Sequence, residues 1–392
     1  MSAVFLQQMG WISALGRGEA AREALFARTL EDRPPTDRYT PGRALHLGRV
    51  RQALPSIEGE PVAFRTRGNA LLAAVLEDLH APIEHLRGWV DPARVAVVLG
   101  VSAAGLTEGV AAANRFRAEG AWPAAYDYAQ QEMGNAAAFV ARRLGARGPA
   151  YTISTACSSG AKALAAGARL LRAGLADAVL AGGADALSAF TIGGFSALES
   201  VSAARCNPLS ANRQGINLGE GAALFLMGRE PGPVRLSGWG ESSDAHHMSA
   251  PEPGGRGALA AMRQALRRAQ LQSADIDYVN LHGTATSQND AMESRAVAEL
   301  LGTEVPVSST KPLTGHTLAA AGAVEAAMCW HTLHDNPRGS LPPHWWDGAR
   351  DAALPALRVA APGETLGRAP RHVLSNSFAF GGSNACLVFS RE

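Results

Sequence analysis

Four ordered stretches hold most of the side chains able to do chemistry. The first is "STACSSGAKALAAGA" (154–168), where Cys157 follows an extended run and opens a helix of small residues. A turn of that kind lifts a side chain above a sheet edge, and the helix N-terminus supplies partial positive charge and free N–H groups that favour a thiolate. A thiolate attacking a thioester or carbonyl builds an oxyanion, which the Cys157 amide is placed to help hold. Read alone, a lone cysteine is more often a buried packing residue. The second stretch, "DYVNLHGTATSQND" (277–290), puts His282 at the carboxyl end of a strand, where α/β proteins place reactive groups; a capping or surface histidine is the plain alternative. The third is "STKPLTGHTLAAAGA" (309–323), with Lys311 and His316. Lys311 and Lys162 are the only lysines among 36 basic residues. A lysine opening a helix faces the wrong end of the dipole, so a site that needs a compact ammonium explains Lys311. Lys162 reads as a helix-surface or packing residue. In the fourth stretch, "SNSFAFGGSNACLVF" (375–389), Gly381 and Gly382 permit tight backbone approach. That is either a loop whose N–H groups complete an oxyanion hole or a β-turn before the last strand.

These stretches need elements to position them. From about residue 94, short β-rich runs alternate with Ala-rich helices, the grammar of α/β layers around mostly parallel sheets. Strands are expected over 93–103, 149–155, 177–183 and 219–230, with helices over 135–145 and 158–174. After a Pro/Gly break at 230–234 the alternation restarts: helices over 256–271, 289–302 and 312–333, strands over 276–283, 305–310 and 383–390. The halves 1–232 and 233–392 thus share one grammar, and 154–168 matches 309–323 without a gap at Ser154/Ser309, Thr155/Thr310, Gly160/Gly315 and Gly167/Gly322. Internal duplication explains the match better than chance does.

Bulk composition narrows the function classes. A chain of 392 residues, 47% hydrophobic and 18% charged, suits a folded protein of two domains or one large two-lobed unit. A net charge of +1 argues against nucleic-acid binding as the main task. The four cysteines lie far apart with no C-x-x-C pair, which disfavours a zinc site or disulfide framework and suits a reducing, cytoplasmic setting. The opening "MSAVFLQQMGWISALG" lacks a basic n-region, so a signal peptide is not expected, and no apolar run approaches the roughly 20 residues of a membrane helix. His246–His247 and His331/His334 have metal-like spacings, but no acidic or Cys cluster joins them, so no metal is expected.

Taken together, "TACSS", "NLHGTATSQND", "STKPLTGH" and "NSFAFGGSN" resemble the β-ketoacyl-acyl carrier protein synthases, in particular the elongating type II enzymes of the thiolase fold. The resemblance implies a duplicated, five-layered αβαβα unit with Cys157 and His316 on equivalent helices. It implies decarboxylative condensation of a Cys157-bound acyl chain with malonyl-carrier protein, substrates carried on phosphopantetheine, and no other cofactor. His282 and His316 would stabilise the enolate from Nε2, the Cys157 and Phe380 amides would form the oxyanion hole, and Lys311 would organise the charge around His282. Asp290 and Glu325 would support Lys311 and the nearby turns. Met133 and Gly134 fall where the family places acyl-pocket residues at its dimer interface, and Arg65, Arg67 and Arg205 where it meets the acidic carrier protein. A homodimer, or a heterodimer with a related chain-length factor, would follow.

The chain departs from the family in three places. Ala379 replaces the first glycine of the usual G-F-G-G loop, which would leave that loop less free to swing. "MSAVFLQQM" stands where a basic, apolar opening strand is usual, and Met133–Gly134 would make an unusual pocket. The wording around 308–327 resembles the ketosynthases of aryl-polyene-type clusters more than housekeeping enzymes. A non-catalytic chain-length factor has no reason to keep Cys157 and both histidines. A CoA-dependent thiolase or initiating synthase would typically lack the second histidine, and a cysteine hydrolase would not account for Lys311.

Overall fold

The computed structural model describes residues 3–392. Its eleven strands join in one sheet. The first half contributes β1 (Phe5–Ser13), β2 (Gly16–Arg17), β3 (Val95–Gly100), β4 (Ala150–Ile153), β5 (Ala178–Asp185) and β6 (Gly221–Gly228). The second contributes β7 (Val234–Ser243), β8 (Tyr278–Asn280), β9 (Val307–Ser308), β10 (His372–Phe378) and β11 (Ser383–Arg391). With β2 set aside as a stub on β1, the spatial order is β4-β3-β5-β6-β1, then β7-β11-β10-β8-β9. Each half, read from its outer edge, runs third, second, fourth, fifth, first in chain order. Senses repeat too: β5/β6 and β10/β11 are antiparallel, β3/β5 and β8/β10 parallel. The halves meet where β1 pairs with β7 at Phe5–Arg235 and Leu6–Val234.

Three apolar clusters separate the layers. One packs helices Arg67–Asp78 and Asn135–Leu144 on the outer face of the first half, and another packs Arg256–Ala269 and Ser287–Leu301 on the second. Between the two half-sheets lies the third, built on helices Ser159–Arg172 and Ala321–Leu333. This is the duplicated five-layered arrangement of the thiolase fold. Strands buried on both faces explain the continuous apolar runs "VAVVLG" and "AVLAGGAD", every residue of which is buried.

The duplication is real, but its register differs from the sequence match. Ser159 and Ala321 open the two central helices, an offset of 162 residues rather than 155. On that offset Thr155, Gly160 and Ala161 correspond to Thr317, Gly322 and Ala323. The contacts are reciprocal: a Cβ on Gly160 would lie 2.8 Å from the Ala323 nitrogen, and one on Gly322 2.7 Å from the Ala161 nitrogen. Both turns also hold a non-glycine residue in the left-handed region, Ala156 at φ 50° and Leu318 at φ 52°. Cys157 therefore corresponds to Ala319, and His316 to Ser154. The expected helix over 312–333 is broken accordingly. A single turn, Lys311–Thr314, ends at Gly315 (φ 67°), and the long helix begins only at Ala321.

The opening strand missing from the motif comparison is present. β1 is the middle of the joined sheet, with Leu6, Trp11 and Ile12 fully buried or nearly so.

Candidate active site

Cys157 sits between the strained Ala156 and the start of its helix, with the hydroxyls of Ser158 and Ser159 turned back to accept and donate within the turn. It is buried, and its Sγ lies 2.9 Å from His316 Nε2. The Phe380 amide also hydrogen-bonds the thiol. Burial pushes the thiol up to about 12, outweighing the pull of Lys311 and of that amide. The expectation of a resting thiolate is thus corrected: desolvation wins over the helix terminus, and the nucleophile rests as a thiol beside an imidazole.

His316 is placed by backbone. Its N–H donates to the Asn217 carbonyl at 2.6 Å and its carbonyl accepts from the Gly219 N–H at 2.9 Å, so the break after Gly315 is stitched to 217–219. Gly48 closes the same corner: a Cβ there would lie 1.6 Å from the Thr314 oxygen.

His282 follows β8 and faces His316 edge-on, with ring centroids 5.3 Å apart. Burial, then Lys311, holds both imidazoles well below the usual histidine range, so both are neutral. Lys311 decides which nitrogen of His282 carries the proton. Its Nζ lies 3.4 Å from His282 Nδ1, accepts nothing, and so leaves Nδ1 as acceptor and Nε2–H as donor. The same ammonium donates to the His282 carbonyl and to Glu325 Oε1 at 2.6 Å, which satisfies its three hydrogens. Burial pushes the Glu325 carboxyl up while Lys311 draws it down.

Asp290 holds nearby turns but, unlike Glu325, not Lys311. Its carboxylate accepts from the Leu209 and Ala285 amides at 2.8 and 3.2 Å and does not touch Lys311. The residue that shapes the His282 turn is Glu293, which the sequence reading missed. It accepts from the His282 and Gly283 amides, each at 2.7 Å, and burial pushes its carboxyl up to about 7. Its signal was available: an acid on the following helix, one turn past Asp290.

His344 was missed as well. Its Nδ1 accepts from the Ser309 amide and its Nε2 faces the Pro208 carbonyl, both at 3.0 Å, which clamps the turn leading to Lys311. Burial lowers it to about 4. From pH 6.5 down to about 4 the unfolded chain gains a proton at this position that the folded protein does not, so its contribution to stability falls as pH falls. The stability advantage of the wild type over His344→Gln should shrink by about 2 kcal/mol between pH 7 and pH 5. Urea melts of both proteins at the two pH values measure it; a constant difference would show that His344 titrates normally.

A cavity of about 160 Å³ opens onto Cys157, His282 and His316, and Phe195, Ile216 and Phe378 give it apolar walls. Phe380 forms its rim, its ring centroid 5.7 Å from that of Phe195. Ala379 is extended (φ −111°, ψ 156°), a conformation open to any residue; the left-handed φ values fall on Gly381 and Gly382.

The remaining expected site residues lie outside this cavity. Met133 is on the surface and Gly134 caps the helix Asn135–Leu144; neither lines it. Arg67, its side chain 33% exposed, holds the fully buried Glu220 with its guanidinium at 2.6 and 2.7 Å. Arg65 bonds the Glu60 carbonyl at 2.8 Å, and Arg205 the Glu31 carbonyl at 2.8 Å, beside Arg33.

Among the described residues the one cluster spaced to hold a metal ion is Cys157, His282 and His316, whose donor atoms lie within 4.8 Å of one another. No carboxylate joins them, and the Lys311 ammonium stands beside His282, which favours reading them as a nucleophile with two hydrogen-bond donors. No described helix is long and apolar enough to cross a membrane.

With fold and site in view, the comparisons with known proteins agree on a class. The N-terminal domain model of the β-ketoacyl synthases matches residues 71–231 and the C-terminal domain model residues 234–344. The chain belongs to the β-ketoacyl synthase family. Over its whole length it is similar to a chain of the solved complex of the ketosynthase ApeO with its chain length factor ApeC from Xenorhabdus doucetiae. That match has 40% identity and a TM-score of 0.93, covering 100% of this chain and 98% of that one. A β-ketoacyl synthase from Burkholderia phymatum STM815 matches at 27% identity and TM-score 0.82, with full coverage of both chains. The 3-oxoacyl-(acyl-carrier-protein) synthase 2 of Rhizobium meliloti (strain 1021) is 36% identical over 274 residues, 62% of this chain and 61% of that protein. The aligned regions thus span slightly less than two thirds of the curated relatives.

Proposed function

We propose that the protein is a β-ketoacyl-acyl carrier protein synthase that extends an acyl chain by two carbons in a decarboxylative Claisen condensation. The observation that carries this reading is the convergence of Cys157, His282 and His316 on one cavity, with Lys311 fixing the proton of His282 on Nε2. An acyl thioester entering the cavity is attacked by the Cys157 sulfur. The carbonyl oxygen becomes an oxyanion held by the Phe380 and Cys157 amides, the bond to the carrier thiol breaks, and the Cys157 proton ends on that departing thiol. Malonyl thioester then loses carbon dioxide. The two imidazoles, neutral and close together, stabilise the enolate by hydrogen bonds from Nε2, and its carbon attacks the acyl-Cys157 carbonyl, freeing the thiolate and forming the 3-oxoacyl product.

The substrates are then phosphopantetheine thioesters of an acyl carrier protein, and no other cofactor takes part. A homodimer, or a pair with a chain-length factor, is the assembly we propose, supported by the likeness to the ApeO–ApeC complex. The same likeness, together with the sequence wording around Lys311, supports a specialised aryl-polyene-type pathway. The test is to incubate the protein with malonyl-carrier protein and a panel of saturated, polyunsaturated and aryl acyl-carrier proteins. Intact mass should show Cys157 acylated and a 3-oxoacyl product two carbons longer. No acylation by any member of the panel would sink the reading.

A further inference from the structure

We propose that Lys162, the lysine left without a role by the sequence, is a positioning residue for the oxyanion amide of Phe380, acting through Ser383 and Ser158. This rests on the synthase reading above. Lys162 lies on the central helix five residues after Cys157, and its Nζ is 2.6 Å from Ser383 Oγ. Ser383 is the residue that ends the Phe380–Gly382 turn. Its hydroxyl lies 3.0 Å from Ser158 Oγ, and Ser158 Oγ donates to the Thr155 carbonyl at 2.8 Å.

The direction of this chain follows from what each group can do. An ammonium only donates, so Ser383 Oγ accepts from Lys162, and it accepts from Ser158 Oγ as well. Ser158 has one hydrogen, which both Ser383 Oγ and the Thr155 carbonyl are placed to accept. Held by Lys162 on one side and by Ser158 on the other, Ser383 Oγ ties the loop to the turn that presents Cys157.

Other ties of the loop lead elsewhere. The Gly381 amide donates to the Met248 carbonyl at 2.8 Å, the Asp244 amide to the Gly382 carbonyl at 2.9 Å, and Asn384 Nδ2 to Asp244 Oδ1 at 2.7 Å. All three anchor it to 244–248, not to the nucleophile. Lys162 makes no ion pair among the described residues; Glu241 and Arg169 act on it only at a distance and in opposite senses. An ammonium so placed, in a chain that uses arginine almost everywhere else, does not serve a salt bridge. It sets the separation between the Phe380 amide and Cys157. An arginine fork would not fit the single hydroxyl as a point donor does.

The effect should be confined to steps that build an oxyanion. Removing an oxyanion donor outright costs about 10²–10³ in rate, so displacing one should cost about tenfold. The experiment compares two reactions of Cys157 in wild type, Lys162→Met and Ser383→Ala. One is single-turnover acylation by the acyl-pantetheine thioester that loads the wild type best; the other is alkylation by iodoacetamide, which forms no oxyanion. Expected is an acylation rate about tenfold lower in both variants with alkylation unchanged. Acylation at the wild-type rate in both, or a parallel fall in the two reactions, would overturn the proposal. If Lys162→Met does not fold, Ser383→Ala decides alone. If the wild type itself is never acylated, the synthase reading fails instead.

Discussion

Cys157→Ala is expected to lose chain extension by at least about a thousandfold while leaving the fold intact. The side chain is small and buried at the end of the cavity, and alanine is already the residue at the equivalent turn of the second half, Ala319. No other group can take over. Cys206, Cys329 and Cys386 are buried outside the cavity, and no serine hydroxyl replaces the sulfur beside His316 Nε2. What the variant retains is as informative as what it loses. His282 and His316 keep their places, since Lys311, Glu293 and the backbone of 217–219 hold them independently of the thiol. Malonyl-carrier protein should therefore still be decarboxylated, giving acetyl-carrier protein, with no 3-oxoacyl product. Mass spectrometry of the carrier protein separates the outcomes. Extension at more than a few per cent of wild type would remove Cys157 from the mechanism.

Glu325→Leu should be the most destabilising single change at the site, by about 3–5 kcal/mol, because it leaves a buried ammonium without its carboxylate. Lys311 and Glu325 are both buried, with 2.6 Å between Nζ and Oε1. Replacing both, Lys311→Met with Glu325→Leu, should recover most of that loss, since an apolar pair of similar volume has no desolvation to offset. Condensation should not recover with it. Without the ammonium beside Nδ1, nothing in the structure keeps the His282 proton on Nε2, and the enolate donor is lost in part of the population. Chemical denaturation and single-turnover extension, run on the two single variants and the double, test both halves. A double variant that regains stability and activity together would show that Lys311 serves only the fold.

The residues that converge on the candidate site were legible because they are chemically rare in this sequence. One cysteine at a strand-to-helix turn, a histidine after a strand and one of two lysines stand out from an Ala- and Gly-rich background. The same background obscured the duplication register. Runs of alanine and glycine match themselves at many offsets, and the seven-residue error is two helical turns, which returns the same face. What fixes the true register is the contact of Gly160 with Ala323 and of Gly322 with Ala161, a fact of packing across the fold. Glu293 was passed over beside Asp290 because the two acids share one helix, a turn apart, and only the loop's path decides which reaches the His282 amide. The Arg67–Glu220 pair was illegible for a related reason: its partners are 153 residues apart in sequence.

The position of β1 bears on how the chain reaches this fold. The strand comes first in the sequence but lies in the middle of the sheet, with Phe5 opposite Gly228 on one side and Arg235 on the other. During synthesis its long partners, β6 and β7, do not yet exist. At about 5–20 residues per second, the apolar "FLQQMGWIS" waits on the order of ten to forty seconds before β6 leaves the ribosome. Contacts this distant make for slow folding and a long exposure of an unpaired strand. Low growth temperature and slow induction should therefore raise the soluble yield of this protein more than any change at its surface, and the gain should vanish once folding is complete.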